Sequence, residues 1–348
     1  GIIEPGHFRF QCHGENVLFL EIQLGYQHRG AEELLLGATP ARRLVVAESI
    51  AGDTAVGHGL AHCQALEALL GVEAPLNAQA LRGLALELER LANHVGDLGA
   101  LCGDIGYLPG ASYFGRLRGD FLNLTMELSG NRFGRGLVRP GGVRFGLDAE
   151  LKKSFLLRLA VAERDFAAIC ALVFDEPSVA TRFERTGIVT RGLAEQLGLV
   201  GPVARASGCD RDARRDFPTG IYSYTHLPVA TTEAGDVMAR ALVRRIEAAR
   251  SLVFVREQVA EFRTGDLAAP LPTTAAPQSI VVSIVEGWRG EIVHVAISGD
   301  EGSLVGYKIV DPSFHNWFGL AQTMRGNQIS DFPLCNKSFN LSYAGHDL

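Results

Sequence analysis

The sequence lacks several features that would settle its class at once. Its cysteines, Cys12, Cys63, Cys102, Cys170, Cys209 and Cys335, never form a C-x-x-C pair. Neighbouring cysteines therefore cannot supply a tetrathiolate zinc or iron–sulfur site. A disulfide scaffold does not suit so long and cysteine-poor a chain. Free buried thiols in a reducing compartment are the expectation. No uninterrupted apolar run approaches the roughly 20 residues of a membrane-spanning helix. The longest, such as 166–174, suit core helices. A basic stretch leading into an apolar one is missing from the start, so no signal peptide is read. The chain opens on Gly1 rather than Met, and further residues are expected to precede it.

An excess of positive charge is also missing. The net charge of −6 and pI near 6.0 argue against a nucleic-acid binder, which needs a concentrated basic surface. Arginines do gather at 205–215, but Asp210, Asp212 and Asp216 interleave with them, and a solvated mixed-charge loop is expected there. No G-x-G-x-x-G joins a strand to a helix, and no P-loop or G-x-S-x-G elbow occurs. A self-contained NAD or ATP enzyme is thereby excluded from the expectation.

What is present is enough apolar residue, 47% of 348, for a sizeable core. Two strand-like runs, His7–Cys12 and Val17–Leu24, flank the turn-forming 13–16. From about Glu48 the apolar period becomes helical, giving Ala55–Leu70 stopped by Gly71, then Asn77–Leu101, Arg116–Ser129, Ala149–Val173 and Gly235–Phe262. In the last of these Arg240, Arg244, Arg245 and Arg250 are expected mostly on the outer side. A loop is expected over 103–110, and a linker rich in Ala, Pro and Thr over 267–278. Strands return at Ser279–Ile284, Glu291–Ile297 and Val305–Val310, with 287–290 as a hairpin turn. The tail from Asp331 reads as irregular. The fold class is α+β, mainly α: a central helical bundle (41–266), an N-terminal small β-sheet (1–40) and a C-terminal β element plus extended tail (267–348), all within one structural domain.

Polar clusters suggest chemistry without specifying it. They are Glu4, His7 and Arg9; Tyr26, His28, Arg29 and Glu32; and Glu48, Asp53, His58 and His62. His58 and His62 share a helix face at a spacing that can hold a metal, yet the glutamate of H-E-x-x-H is missing, and a structural pair is the commoner outcome. Asp104 beside Tyr107 can exchange protons with a ligand or simply form a turn.

Motifs in order along the chain carry a family resemblance. Residues 4–10, E-P-G-H-F-R-F, and 25–32, G-Y-Q-H-R-G-A-E, resemble the opening of NiFe-hydrogenase large subunits of the energy-converting, membrane-bound kind. Residues 87–94, E-L-E-R-L-A-N-H, resemble a helix shared with the related subunit of complex I, the NADH:quinone oxidoreductase. G-G-V-R at 141–144, A-S-G at 206–208, and Gly235-Asp236-Val237 with Arg240 continue the likeness. The resemblance implies a NiFe-hydrogenase large-subunit-like fold. It also implies a place at the cytoplasmic face of a membrane, in a peripheral arm, beside an iron–sulfur small subunit and other peripheral-arm and membrane-arm subunits. NAD, if used, would bind another subunit.

Departures from the family pattern bear on chemistry. Family hydrogenases hold nickel through four thiolates. Here Ala51 and Thr54 stand at the early pair, and Ser342 and Gly345 at the late pair. A methyl, two hydroxyls and a hydrogen do not replace soft thiolates, so no nickel is expected. The related complex I subunit has also lost these cysteines, and there the vacated cavity serves quinone beside a partner's iron–sulfur cluster. The family's quinone aspartate carries over to Asp104; its tyrosine falls on Gly52, and its hairpin histidine falls near Pro5 and Gly6, with His7 adjacent. The resemblance thus implies a quinone-type cavity at Ala51, Gly52, Thr54 and Tyr107, with Asp104, His7 and His58 handling protons. Glu4 matches a position that can hold magnesium in hydrogenases. Two other readings stand beside this one: a non-catalytic coupling or scaffold subunit, and a hydrogenase with unusual ligands drawn from Cys12, Cys63 and Cys335.

Overall fold

The computed structural model describes residues 5–348; Glu4 lies outside the described residues. The first layer is an antiparallel hairpin, β1 (His7–His13) and β2 (Asn16–Gln23), turned by Gly14 at φ +61°. Glycine is favoured there because the left-handed region crowds a Cβ. Two short helices follow, α1 (Ala31–Gly37) and α2 (Pro40–Ala47), although the apolar period predicts helix only from Glu48. Helix α2 starts on Pro40, whose missing N–H costs nothing in a first turn.

Helix α3 (Ala55–Leu70) ends at Gly71, whose left-handed φ of 64° lets its N–H reach the last carbonyls. Helix α4 (Leu76–Asp104) is a rod of 29 residues, about 43 Å long. Helix α5 (Leu108–Ser129) begins inside the expected 103–110 loop: Pro109 sits in its first turn, a position that favours proline, and Asp104 is the last residue of α4. Strands β3 (Val138–Arg139) and β4 (Gly142–Val143) form a small ribbon before α6 (Ala149–Phe174), which the Asp148 carboxylate caps by accepting from the Leu151 N–H.

Short helices α7 (Pro177–Phe183), α8 (Arg191–Leu197), α9 (Gly201–Ala206) and α10 (Ala213–Asp216) lead to α11 (Val237–Glu261), capped by Asp236. A three-stranded antiparallel sheet in the order β5 (Ile280–Gly287), β6 (Gly290–Ser298), β7 (Leu304–Val310) comes next. Helix α12 (Pro312–Thr323) follows, and the tail from Asp331 is largely helical rather than irregular, with α13 (Phe332–Phe339) and α14 (Tyr343–His346). The main core lies between α3, α4, α5, α6 and α11, around Leu88, Leu91, Phe114, Phe121, Phe155 and Val255. The mainly helical α+β class is as the sequence predicts, and among the described residues no helix is long and apolar enough to cross a membrane.

Charge is buried in this core to an extent the sequence did not predict. Arg240 and Arg244 on α11 are sealed, not outward-facing: Arg240 donates to Ser338 Oγ and to the Gly187 and Gly235 carbonyls, and Arg244 to Asp97 at 2.8 Å. The 205–215 cluster is only partly a solvated loop. Arg205, Asp212 and Arg214 are buried, while Asp210 and Arg211 stay exposed. Arg205 donates to Glu247 on α11 and to Glu286 on β5, both at 2.8 Å, and Arg214 reaches Glu87 on α4 at 3.1 Å. Glu87 also accepts from Tyr222 Oη and Ser251 Oγ, and His94 Nε2 lies 2.8 Å from Glu247. The sequence pattern concealed this because each charge finds its partner on a distant element.

Burial alone would raise the Glu247 carboxyl, but Arg205 and His94 hold it well below the ordinary value. Removing one member of such a buried network strands the rest without water. Glu247→Ala is expected to cost about 3–5 kcal/mol in chemical denaturation, whereas Asp120→Ala, at the exposed Arg116–Asp120 pair, costs under about 1 kcal/mol.

Candidate functional site

Four segments converge at one place: the loop at 50–54, the β5–β6 turn, the start of α12 and the tail. The N-terminal motif ties them. The Gln27 N–H donates to Asp347, His28 Nδ1 lies 2.8 Å from the Leu348 carbonyl, and Arg29 donates to the Ser49 and Ile50 carbonyls. The β5–β6 turn is held by a backbone-to-backbone approach. A Cβ on Gly201 would meet the Arg289 carbonyl oxygen at 2.0 Å, and one on Gly290 would meet Gly201 N at 2.9 Å.

That turn delivers Trp288 and Arg289 beside Thr54. Arg289 grips Asp53 with both guanidinium nitrogens, at 2.6 and 2.8 Å, and its Nε donates to the Asn340 carbonyl. Trp288 Nε1 donates to Thr54 Oγ1 at 3.1 Å, and the Arg289 guanidinium lies 4.0 Å from the Trp288 ring centre. Burial would lower the Arg289 pKa, but Asp53 raises it overall, so the cation is kept. Asn340 in turn donates to Asp97 on α4 at 2.6 Å. The surroundings of Thr54 are thus filled by a paired cation and an indole ring.

Gly345 is buried against Asp311. A Cβ there would lie 2.6 Å from the Asp311 carboxyl carbon, so any side chain would displace that carboxylate. Asp311 also accepts from the Ser313 N–H as the cap of α12. Burial pushes its carboxyl up, but the His58 hydrogen bond and Arg289 hold it below the ordinary carboxylate value. From Asp311 a continuous buried row of hydrogen-bonding groups runs inward. Asp311 Oδ2 is 3.0 Å from His58 Nε2, His58 Nδ1 is 3.0 Å from His294 Nε2, and Tyr307 Oη lies 2.8 Å from both His294 Nδ1 and His62 Nδ1. Burial pushes His294 well below the ordinary histidine pKa and His62 down to about 4, with the Arg43 charge adding to the latter; burial raises Tyr307.

The predicted site residues do not all gather. Ala51, Thr54, His58, Ser342 and Gly345 meet, all buried. Gly52 sits at the rim, and a Cβ added there meets nothing within 4 Å, so the position has room for a large side chain. His7 is exposed on β1, next to Phe8, which packs on Tyr343 of the tail. Asp104 lies seven positions beyond Asp97, about 10 Å along α4. It is exposed, its partly desolvated carboxyl is raised, and Lys337 opposes that rise. Tyr107 is half-buried at the start of α5. Because Glu89 accepts from the Val56 and Gly57 N–H groups, the start of α3 docks about 22 Å along α4 from Asp104, which separates His58 from it. Glu89 itself is pushed up to about 8, by burial. Arg289, His294, Tyr307 and Asp311 escaped sequence reasoning. His294 and Tyr307 sit in ordinary alternating strands, and only the Asp311-Pro312 helix start was a visible signal.

A histidine–tyrosine row of this kind does not form a group of three metal-ligating side chains, and none is found among the described residues. A cavity of about 400 Å³ lies elsewhere, between α3, α4 and β5, lined by Glu67, Arg82, Tyr222 and Ser283.

A helical bundle whose early loop, β-turn and tail meet in this way defines a large subunit of the type common to hydrogenases and respiratory-chain NADH dehydrogenase. The chain belongs to the family of the 49 kDa subunit of respiratory-chain NADH dehydrogenase, whose family model matches residues 104–281. It is 30% identical to the carbon monoxide-induced hydrogenase of Rhodospirillum rubrum over 97% of this chain and 93% of that one. It is 28% identical to an NADH-quinone oxidoreductase subunit of Clostridium beijerinckii over 92% of this chain and 87% of that one. A chain in the solved structure of the membrane-bound sulfane sulfur reductase, an archaeal respiratory membrane complex, superposes with a TM-score of 0.92, covering 99% of this chain and 95% of that one. At 21% identity that likeness concerns the fold.

Two outcomes test this geometry. Gly345→Ala is expected to lower stability by about 1–3 kcal/mol through its collision with Asp311, measurable by thermal denaturation. The second concerns pH. His62 stays neutral in the native state down to about 4, whereas an unfolded histidine takes a proton near 6.5. The native state therefore binds fewer protons, and stability present above pH 6.5 is lost as pH falls toward 4. Relative to a His62→Gln variant, the wild type should lose about 2–3 kcal/mol between pH 7 and pH 4.5 in urea titrations.

Proposed function

We propose that this protein is a peripheral subunit of a membrane-associated respiratory redox complex. A quinone-type acceptor would approach the convergence around residues 50–54, beside an iron–sulfur cluster carried by a partner subunit. The observation that carries the reading is chemical: the four positions at which family hydrogenases place thiolates hold Ala51, Thr54, Ser342 and Gly345, all buried in one region of an otherwise kept frame. A methyl, two hydroxyls and a hydrogen do not fit nickel, and Asp311 already takes the space at Gly345. Relatives named as NADH-quinone oxidoreductase subunits support the quinone reading.

In this reading Ala51, Gly52, Thr54 and Tyr107 border the acceptor. Asp104, His7 and His58 supply or pass the protons that a reduced quinone takes up. Asp104 suits the task because partial desolvation raises its carboxyl toward neutrality. The complex would sit at the cytoplasmic face, with NAD, where used, on another subunit. A second reading has its own observation. The Arg289–Asp53 pair and the Trp288 ring fill the space next to Thr54, which suits a coupling or scaffold subunit that transmits movement without turnover.

The purified native complex decides between them. Iron without nickel, saturable binding of a quinone analogue, and quinone reduction cut at least about tenfold by Asp104→Asn are expected. Iron with no analogue binding would favour the coupling reading. Nickel at one atom per chain would return the protein to the hydrogenases and overturn both.

A further inference from the structure

Tautomers along the buried row follow from its two ends. The Asp311 carboxylate can only accept, so His58 donates through Nε2 and leaves Nδ1 as an acceptor. His294 must then donate to it through Nε2, which makes His294 Nδ1 the acceptor of the Tyr307 hydroxyl proton. Tyr307 Oη in turn accepts from His62 Nδ1–H. Every donor thus points toward Asp311. The last group, His62 Nε2, is a buried accepting nitrogen with no partner among the described residues, on the side of the molecule where Arg43 of α2 lies. Buried polar atoms are normally satisfied, and an orphan at the end of an otherwise complete row asks for an explanation.

From this we infer that His62, Tyr307, His294, His58 and Asp311 form a proton wire from the α1–α2 side of the molecule to the convergence at Gly345. The inference rests on the quinone reading for the identity of the final acceptor. A hydronium ion gives a proton to His62 Nε2 and leaves as water, and His62 gives its Nδ1 proton to Tyr307 Oη. Tyr307 passes its own proton to His294 Nδ1, His294 passes its Nε2 proton to His58 Nδ1, and His58 passes its Nε2 proton to Asp311. One N–H or O–H bond forms and one breaks at each group from His62 to His58, Asp311 gains one O–H bond that breaks when the acceptor takes the proton, and no electron moves along the row.

All internal hydrogen bonds are present before and after passage. Only their direction reverses, and the orphan nitrogen becomes an N–H. Reorientation of the hydroxyl and rings must then precede the next proton. Two such passages, with two electrons from the partner's cluster, account for the conversion of a quinone to a quinol.

Other features agree with transit rather than storage. The histidines next to Tyr307 are held neutral by burial, and the half-buried Arg43 acts on His62 with like charge. Asp311 is kept ionised by His58 and Arg289, so it gives up a proton readily to an acceptor beside it. A row serving packing alone would not need a titratable group at every link.

The test uses the whole complex and Tyr307→Phe, which removes only the central hydroxyl. Three rates are read in stopped flow: proton uptake on reduction of the complex, followed with a pH indicator dye; reduction of a quinone analogue; and reduction of ferricyanide, which takes electrons without protons. The wire predicts that proton uptake and quinone reduction slow at least about tenfold, while ferricyanide reduction and analogue affinity stay at the wild-type level. His62→Gln, which can still donate to Tyr307, should give the same pattern. Unchanged proton uptake in both variants would overturn the wire, and so would equal slowing of the quinone and ferricyanide reactions, the mark of a purely structural role. If the wild type binds no quinone analogue, the quinone reading falls, and the wire is then judged on proton uptake alone.

Discussion

The fold hangs on charges sealed against the flank of α4. Glu87, Arg90 and His94 lie on one helix, yet their partners come from α10, α11 and β5. A hydrophobic core tolerates small slides between packed helices, because dispersion contacts have no direction. Buried ion pairs do not. Each guanidinium must meet its carboxylate or leave an uncompensated charge in a medium that cannot solvate it. The network therefore sets the register of α11 and of the sheet relative to α4. Through the sheet it sets where the Trp288–Arg289 turn arrives.

Within that register, the converging loops set small and hydroxylic groups beside paired charges. Positions that could hold sulfur carry small or hydroxylic groups, and oppositely charged residues have closed in: Arg289 with Asp53 beside Thr54, and Asp311 against Gly345. The result is a fixed pattern of hydrogen-bond donors around one buried carboxylate, that of Asp311.

The sequence made the helical bundle, the two β elements and the family legible, because apolar periodicity and ordered motifs are local signals. Residues 87–94 stood out as a motif, but their partners did not, since nothing in the order of residues says that Glu87 faces Arg214 or that His94 faces Glu247. Arg240 and Arg244 read as outward for the same reason: a charge is taken as exposed until its partner is known. The helices at 31–47 and 312–346 are short and depend on packing and on Pro or Asp starts, so their periodicity is weak. His58 was visible as a candidate, but the row it belongs to was not. Its neighbour His294 lies 236 positions further along the chain, and only the strand pairing of β6 with β7 sets Tyr307 next to that residue.

The contact between Gly201 and Gly290 bears on how the β5–β6 turn is placed. No side chain stands between these two backbones, so the close approach depends on the two glycines, while Trp288 and Arg289 anchor the turn through Thr54 and Asp53. A side chain at Gly201 or Gly290 would push the turn away and carry Trp288 and Arg289 off their partners at Thr54 and Asp53. A contact of bare peptide works like an end stop: it sets how far the turn can advance, and the side chains beyond it lock the turn where it halts.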